Sequence, residues 1–265
     1  MIRSFRRPVV AVVRIQGVLG GWPRRRGGGS AAALGRSIDA AFRMRRAAAV
    51  ALVIDSPGGA PVQASLIAGR IRRLARKSGR PVLAFVEDVA ASGGYWIAAA
   101  ADEIWVDASS LVGSIGVMSA GFGLHEAIRR LGVERRMHAR GPLKDFLDPF
   151  QPERPEHVAV LEELQRELHA RFAGWIKQRR GSRLRVEDAE LLSGRLWSGE
   201  RAVALGLADG LGQLEEVLEE RFGPRVRLRW INPPRAGLLR GLVAALAWEL
   251  VDALEVRFSG PPVRL

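Results

Sequence analysis

Three times before Asp102 an apolar run is followed by a turn and then by a helix-like stretch, at about 30-residue intervals. The runs are Val9 to Ile15, Ala49 to Ile54 and Pro81 to Val86; the expected helices cover about Ala31 to Arg46, Val62 to Lys77 and Ser92 to Ala101. Ala49-Val50-Ala51-Leu52-Val53-Ile54 has no polar face, so as a strand it must be covered on both sides. Strands of that kind alternating with helices specify right-handed β-α-β units in an α/β fold with a largely parallel sheet.

The later part of the chain continues this pattern with longer helices. A helix from Leu124 to Leu131 and a strand from Val133 to His138 precede a polar loop, Ala139 to Gln151. Pro155 to Arg180 then reads as one long amphipathic helix, with Val158, Leu161, Leu164, Leu168, Phe172, Trp175 and Ile176 at three- and four-residue steps. Gly206 is placed to cap a helix. At 265 residues and 48% hydrophobic content the chain can bury a large core. We expect one domain over residues 1–224 and a C-terminal extension over 225–265. Within that extension, Gly237 to Phe258 reads as an amphipathic helix with Glu249, Asp252 and Glu255 on one face. Its apolar run calls for a cover, either another subunit or peripheral contact with a membrane surface.

Charge narrows the function less than it first suggests. Lys plus Arg number 41 against 28 Asp plus Glu, a formal +13, which raises nucleic acid and anionic membranes as partners. The Arg residues are spread along the chain and no aromatic stacking platform accompanies them, so no nucleic-acid partner is expected. No secretory leader is visible, because the apolar run Val9 to Val13 is cut by Arg14, and no stretch is long and apolar enough to span a membrane. A cytoplasmic location follows, with the inner face of the membrane as a place of peripheral attachment. Absence of Cys excludes a disulfide framework, thiolate catalysis and Cys-ligated zinc or iron–sulfur sites. The residues call for no cofactor and no metal.

Of the 41 cations only Lys77, Lys144 and Lys177 are lysine, leaving 41 − 3 = 38 arginines. Arg stays charged throughout the biological pH range, so a position needing a neutral amine must keep Lys. Lys144 lies in Arg140-Gly141-Pro142-Leu143-Lys144-Asp145-Phe146-Leu147, where apolar neighbours could desolvate an amine. Lys77 and Lys177 sit beside Arg at helix ends and read as solvated charges.

Two glycine-rich turns carry the remaining chemistry. Asp55-Ser56-Pro57-Gly58-Gly59 follows a buried strand and can turn backbone N–H groups toward a ligand oxygen. Ala91-Ser92-Gly93-Gly94-Tyr95-Trp96 puts a serine at a helix start. An N-capping role would explain that serine alone, but the Gly-Gly pair after it disfavours helix. Together the turns suit acyl transfer: Ser92 as nucleophile, Gly93 N–H and a facing N–H from Gly58 or Gly59 as oxyanion donors, and Lys144 as base. None of His125, His138, His157 or His169 lies in such a glycine-rich context.

From Val9 to Val217 the sequence resembles the signal peptide peptidase (SppA) family of Ser/Lys serine peptidases, whose fold belongs with the Clp protease and crotonase folds. The resemblance rests on DSPGG at Asp55 to Gly59, ASGGYW at Ala91 to Trp96, GSIGV at Gly113 to Val117 and GLADGLG at Gly206 to Gly212. It implies Ser92 as nucleophile, Lys144 as general base and Ser114 as the hydroxyl that orients the Lys amine. It also implies an endopeptidase acting on apolar peptides such as released signal peptides. One copy of the motif set matches the short form of the family, which assembles into ring- or dome-shaped homo-oligomers. Members acting on membrane-embedded peptides usually carry an N-terminal anchor, which is not seen here. The alternatives are a crotonase-type acyl-CoA enzyme, which would not need Ser92 and Lys144 together, and an Arg-rich nucleic-acid-binding module.

Overall fold

The computed structural model describes residues 7–20 and 29–231. Its centre is an eight-stranded sheet. Strands β1 (Val9–Gln16), β2 (Ala47–Ser56) and β3 (Val82–Ala91) run parallel and are joined by α1 (Ala31–Arg43) and α2 (Pro61–Ser78). These are the two β-α-β units expected from the apolar runs. Every residue of β2 from Ala49 to Ile54 is essentially inaccessible, as its lack of a polar face requires.

Strand β3 continues five residues beyond the expected end at Val86 and reaches Ala91 directly, without the expected turn at 87–91. The reason is a change of neighbour. Leu83 to Val86 pair with β4 (Glu103–Val106), whereas Val89 to Ala91 pair with β5 (Leu111–Gly113). The polar pair Glu87-Asp88 falls where the sheet passes from one neighbour to the other. Between β3 and β4 lies the short α3 (Gly93–Ala98).

After β5 the chain leaves the sheet. It forms α4 (His125–Arg130) and then α5 (Pro155–Arg180), with residues 133–139 in no helix or strand, so the strand expected at Val133 to His138 is absent. Val133 is exposed. The chain returns through α6 (Asp188–Leu191), β6 (Leu196–Ser198), α7 (Gly199–Ala204), β7 (Gly210–Leu211), α8 (Leu214–Phe222) and β8 (Arg227–Trp230). The main path through the sheet is β6-β5-β3-β2-β1-β8, with β4 between β3 and β7. Among the described residues only the β5–β6 pair is antiparallel. The large core lies between the sheet and α1, α2, α3 and α5; a smaller one, with Val10, Val12, Val53 and Phe85, lies under α8.

Residues 225–231, placed by the sequence reading in the C-terminal extension, include β8, which pairs with β1 through Val9 to Val12. The amphipathic stretch from Gly237 to Phe258 lies outside the described residues. Gly206 ends α7 with φ +78°, as a capping glycine should.

Candidate active site

Ser92 is the single residue between β3 and α3, at the carboxyl end of a buried parallel strand. Its backbone has φ +50° and ψ −119°, a conformation that costs a non-glycine residue about 1–3 kcal/mol. Two backbone bonds hold it there: Ser92 N–H donates to Gly113 O at 2.8 Å, and Ser92 O accepts from Trp96 N–H at 3.0 Å. A capping serine would look different. Ser30 and Ser198 each accept a hydrogen bond from a backbone N–H of the helix they start, whereas the Ser92 side chain makes no such bond. The strained turn thus directs a hydroxyl away from helix capping, and the side chain stays partly exposed.

The second glycine turn closes on this serine. A Cβ built on Gly58 would lie 2.8 Å from Gly93 N, 2.8 Å from Ser92 Cβ and 2.9 Å from Ala91 O. Gly58 and Gly59 have φ of +104° and +137°, values L-residues rarely adopt. Gly94 is equally constrained, since a Cβ there would meet Ser56 O at 2.3 Å. The glycines therefore exist to let two turns touch. Ser56, fully buried, fixes the first turn by donating from Oγ to Gly17 O at 2.7 Å and accepting from Gly58 N–H at 3.2 Å.

Ser114 follows from strand register. Ala91 pairs with Gly113, so the next residues along β3 and β5 are Ser92 and Ser114. Ser114 also has positive φ, +52°, and its N–H donates to Arg195 O at 2.8 Å. Behind it the Trp197 ring lies so close to Gly113 that a Cβ there would meet it at 2.6 Å. Helix α3 is braced from the other side by α5. Trp96 stacks on Phe172 with ring centroids 4.8 Å apart, and Trp175 Nε1–H donates to Trp96 O at 2.9 Å. Tyr95, wholly buried, donates from its hydroxyl to Leu207 O at 2.8 Å, and burial pushes its phenol well above the usual range. Farther along α5, Arg180 forms a bidentate pair with Asp209 at 2.8 and 3.0 Å. Burial would raise the Asp209 carboxyl, but the Arg180 guanidinium and the Ile104 N–H outweigh it and hold it low.

The structure thus brings Ser92, Gly93, Gly58, Gly59 and Ser114 together. Lys144 makes no hydrogen bond to any of them. Lys144 lies on the excursion between β5 and α5 and is exposed, so the apolar neighbours expected to desolvate it do not do so within one chain. Among the described residues its ammonium has no hydrogen-bond or ion-pair partner. The loop around it is nevertheless held in place. Arg154 Nη2 donates to Pro142 O at 3.1 Å and to Asp145 Oδ1 at 2.8 Å, and Leu147 N–H donates to Nδ1 of the buried His157 at 3.2 Å. His157, in the first turn of α5, thereby clamps the loop that carries Lys144. Met118, Phe122 and Leu131 on the same excursion are 83%, 84% and 77% exposed.

Known proteins bear out this architecture. The chain is 47% identical over 234 residues to a protein of Brucella abortus (strain 2308) named Na(+)/H(+) antiporter NhaA, a match spanning 88% of this chain and 32% of that protein. It is 33% identical over 166 residues to the chloroplastic serine protease SPPA of Arabidopsis thaliana, covering 62% of this chain and 24% of that one. The chain therefore spans about a quarter to a third of the length of these relatives. Among solved structures, a 1510-N membrane-bound stomatin-specific protease in complex with a substrate peptide superposes with a TM-score of 0.54 at 16% identity, covering 91% of this chain and 98% of that chain. That likeness fixes the fold as Clp protease/crotonase-like. Among the described residues no helix is long and apolar enough to cross a membrane. The profile of Peptidase family S49 matches residues 74–222, which hold Ser92, Ser114 and Lys144, and the chain belongs to that family of serine peptidases.

Proposed function

We propose that this chain is a cytoplasmic serine endopeptidase in which Ser92 attacks the scissile carbonyl and Lys144 is the general base. The observation that carries the reading is the Ser92 turn: a strained serine whose hydroxyl is not used as a cap, with Gly93 N–H and the Gly58-Gly59 turn packed against it. Gly58 N–H is already engaged by Ser56 Oγ, which favours Gly59 as the second oxyanion donor beside Gly93. In the reaction Ser92 Oγ bonds to the carbonyl carbon while its proton passes to the neutral Lys144 amine. The oxyanion is held by the two N–H groups. Collapse breaks the C–N bond, and Lys144 returns the proton to the leaving amine. Water then attacks the acyl-enzyme by the same route in reverse. Ser114, next to Ser92 across β3 and β5, is the hydroxyl that orients the amine.

Exposed Lys144 is a poor base, and the exposed Met118, Phe122 and Leu131 need a cover. Both needs are met if the excursion packs in a homo-oligomer and buries Lys144 beside a Ser92. Apolar peptides, released signal peptides among them, are the substrate class, and peripheral membrane contact is the accompanying partner reading. The test is turnover of an internally quenched apolar peptide across a dilution series, with sedimentation alongside. Wild type should lose specific activity as the assembly dissociates, and Ser92→Ala should sit at background throughout. A fully active monomer would refute the assembly, and an active Ser92→Ala variant would refute the nucleophile.

A further inference from the structure

The arginines look scattered in sequence, but ion pairing sorts them in space. On the sheet and long helices many are matched: Arg14 to Glu87, Arg70 to Asp39, Arg72 to Asp102, Arg180 to Asp209 and Arg221 to Glu103. The C-terminal ends of α1 and α2 differ. These helices run parallel, so their ends lie together at the edge where strands begin, opposite the edge that carries Ser92. Arg43, Arg45, Arg46, Arg73, Arg76 and Lys77 gather there, all exposed, and among the described residues none has an acidic partner.

Helix ends attract cations, but the balance is far from even. Two helix C-termini supply about half an elementary negative charge each, roughly one in total, against six full positive charges. Among the described residues that line the space between the two helices, the carboxylate is Asp39, and Arg70 takes it through two hydrogen bonds of 2.8 and 2.7 Å. Between the helices lies a cleft of about 370 Å³ lined by Phe42, Leu74 and Ser78, by Arg43, Arg73 and Lys77, and by the Asp39 carboxylate that Arg70 holds. The fields of Arg43 and Arg73 reach into it, adding to the Arg70 contact that holds the Asp39 carboxyl low. A concave site with two apolar side chains and three cations, against one carboxylate already bonded to Arg70, suits an anionic group attached to an apolar body.

We propose that the cleft between the ends of α1 and α2 is a docking site for an anionic phospholipid surface, with a headgroup phosphate seated between Arg43, Arg73 and Lys77. Charge complementarity selects this occupant, and the exposed ring of six cations matches a broad charged plane better than a single small anion. Docked this way, the protein presents Ser92, at the opposite ends of the strands, away from the lipid. The inference does not depend on the assignment of Ser92.

The test is partition of the full-length protein onto vesicles of phosphatidylcholine alone and with phosphatidylglycerol, at low and high salt, with inorganic phosphate and duplex DNA as competitors. Binding should need phosphatidylglycerol, weaken with salt as the Debye length contracts from about 10 to 3 Å, and resist millimolar phosphate. Each cation near such a surface is worth about a five-fold change, so the triple variant Arg43→Gln/Arg73→Gln/Lys77→Gln should bind about a hundred-fold more weakly. A control of equal charge change, Arg171→Gln/Arg185→Gln/Arg201→Gln, should stay within a few-fold of wild type. Equal losses in both triples would overturn the proposal by reducing it to net charge. So would displacement by phosphate, which assigns the cleft to a free anion, preferential binding of DNA, or binding that disappears on deleting residues 236–265 while the first triple has no effect.

Discussion

Gly58→Ala should cost much of the activity, because the added methyl group falls between Ser92 and Gly93. The new Cβ would meet Gly93 N, Ser92 Cβ and Ala91 O at 2.8 to 2.9 Å, where ordinary contact begins at 3.4 Å, so the two turns must separate by about half an ångström. Two of the three clashes are with backbone, which cannot rotate out of the way. At φ +104° the alanine also carries strain of about 1–3 kcal/mol. The displacement falls on the nucleophile and on the oxyanion donor at once. A misplacement approaching 1 Å costs about a hundred-fold in rate, or about 2.7 kcal/mol in the barrier. The expected result is kcat reduced about a hundred-fold, with Tm lowered by about 2–12 °C for a domain of this size. Fluorogenic peptide kinetics and calorimetry on the same preparation read both. Gly69→Ala is the control: it lies within α2 with nothing within 4 Å of the added Cβ, and should leave kcat unchanged and Tm equal or higher. A Gly58→Ala protein with wild-type kcat and Tm would show that the two turns do not touch, and the reasoning behind the site would fail.

Other outcomes follow from the same geometry. Lys144→Arg should be as inactive as Lys144→Ala, because a guanidinium cannot take the Ser92 proton; peptide turnover near wild type in the Arg variant would leave the residue a charge contributor only. Ser114→Ala should lower kcat by about ten- to a hundred-fold with little change in KM, the loss of one orienting hydrogen bond, and unchanged kinetics would remove it from the site. Asp209→Asn should destabilise the fold by about 3–5 kcal/mol, since it strands the 2%-exposed Arg180 without its counter-charge, as chemical denaturation would measure. Because the folded Asp209 carboxyl is held below its unfolded value, its contribution is present above about pH 4 and lost as pH falls through the folded value. Wild-type stability should drop over that acid range more steeply than that of the Asn variant.

What the sequence disclosed and what it hid divide along a physical line. The β2 strand was legible because six successive apolar residues leave no alternative to burial on both faces. Ser92 and the paired glycines were legible because helix-breaking residues at a helix start need a reason other than helix stability. The end of β3 was not. Glu87 and Asp88 look like a turn, and only the three-dimensional change of partner from β4 to β5 keeps the chain extended through them. The excursion was misread for a related reason. Val133 to His138 holds one β-branched residue among three charged ones, and among the described residues it pairs with no strand. His157 was passed over because its value lies in distant backbone, the N–H of Leu147, which no local pattern announces.

The central claim is that Ser92 is a nucleophile activated by Lys144, and covalent labelling by a fluorophosphonate followed by peptide mapping addresses it most directly. Applied to the assembled protein, the probe should add to Ser92 alone among the serines, including the neighbouring Ser114. Labelling should slow to background in Lys144→Ala while Tm stays at the wild-type value. An adduct on another serine, or labelling of Ser92 that proceeds equally fast without Lys144, would contradict the account.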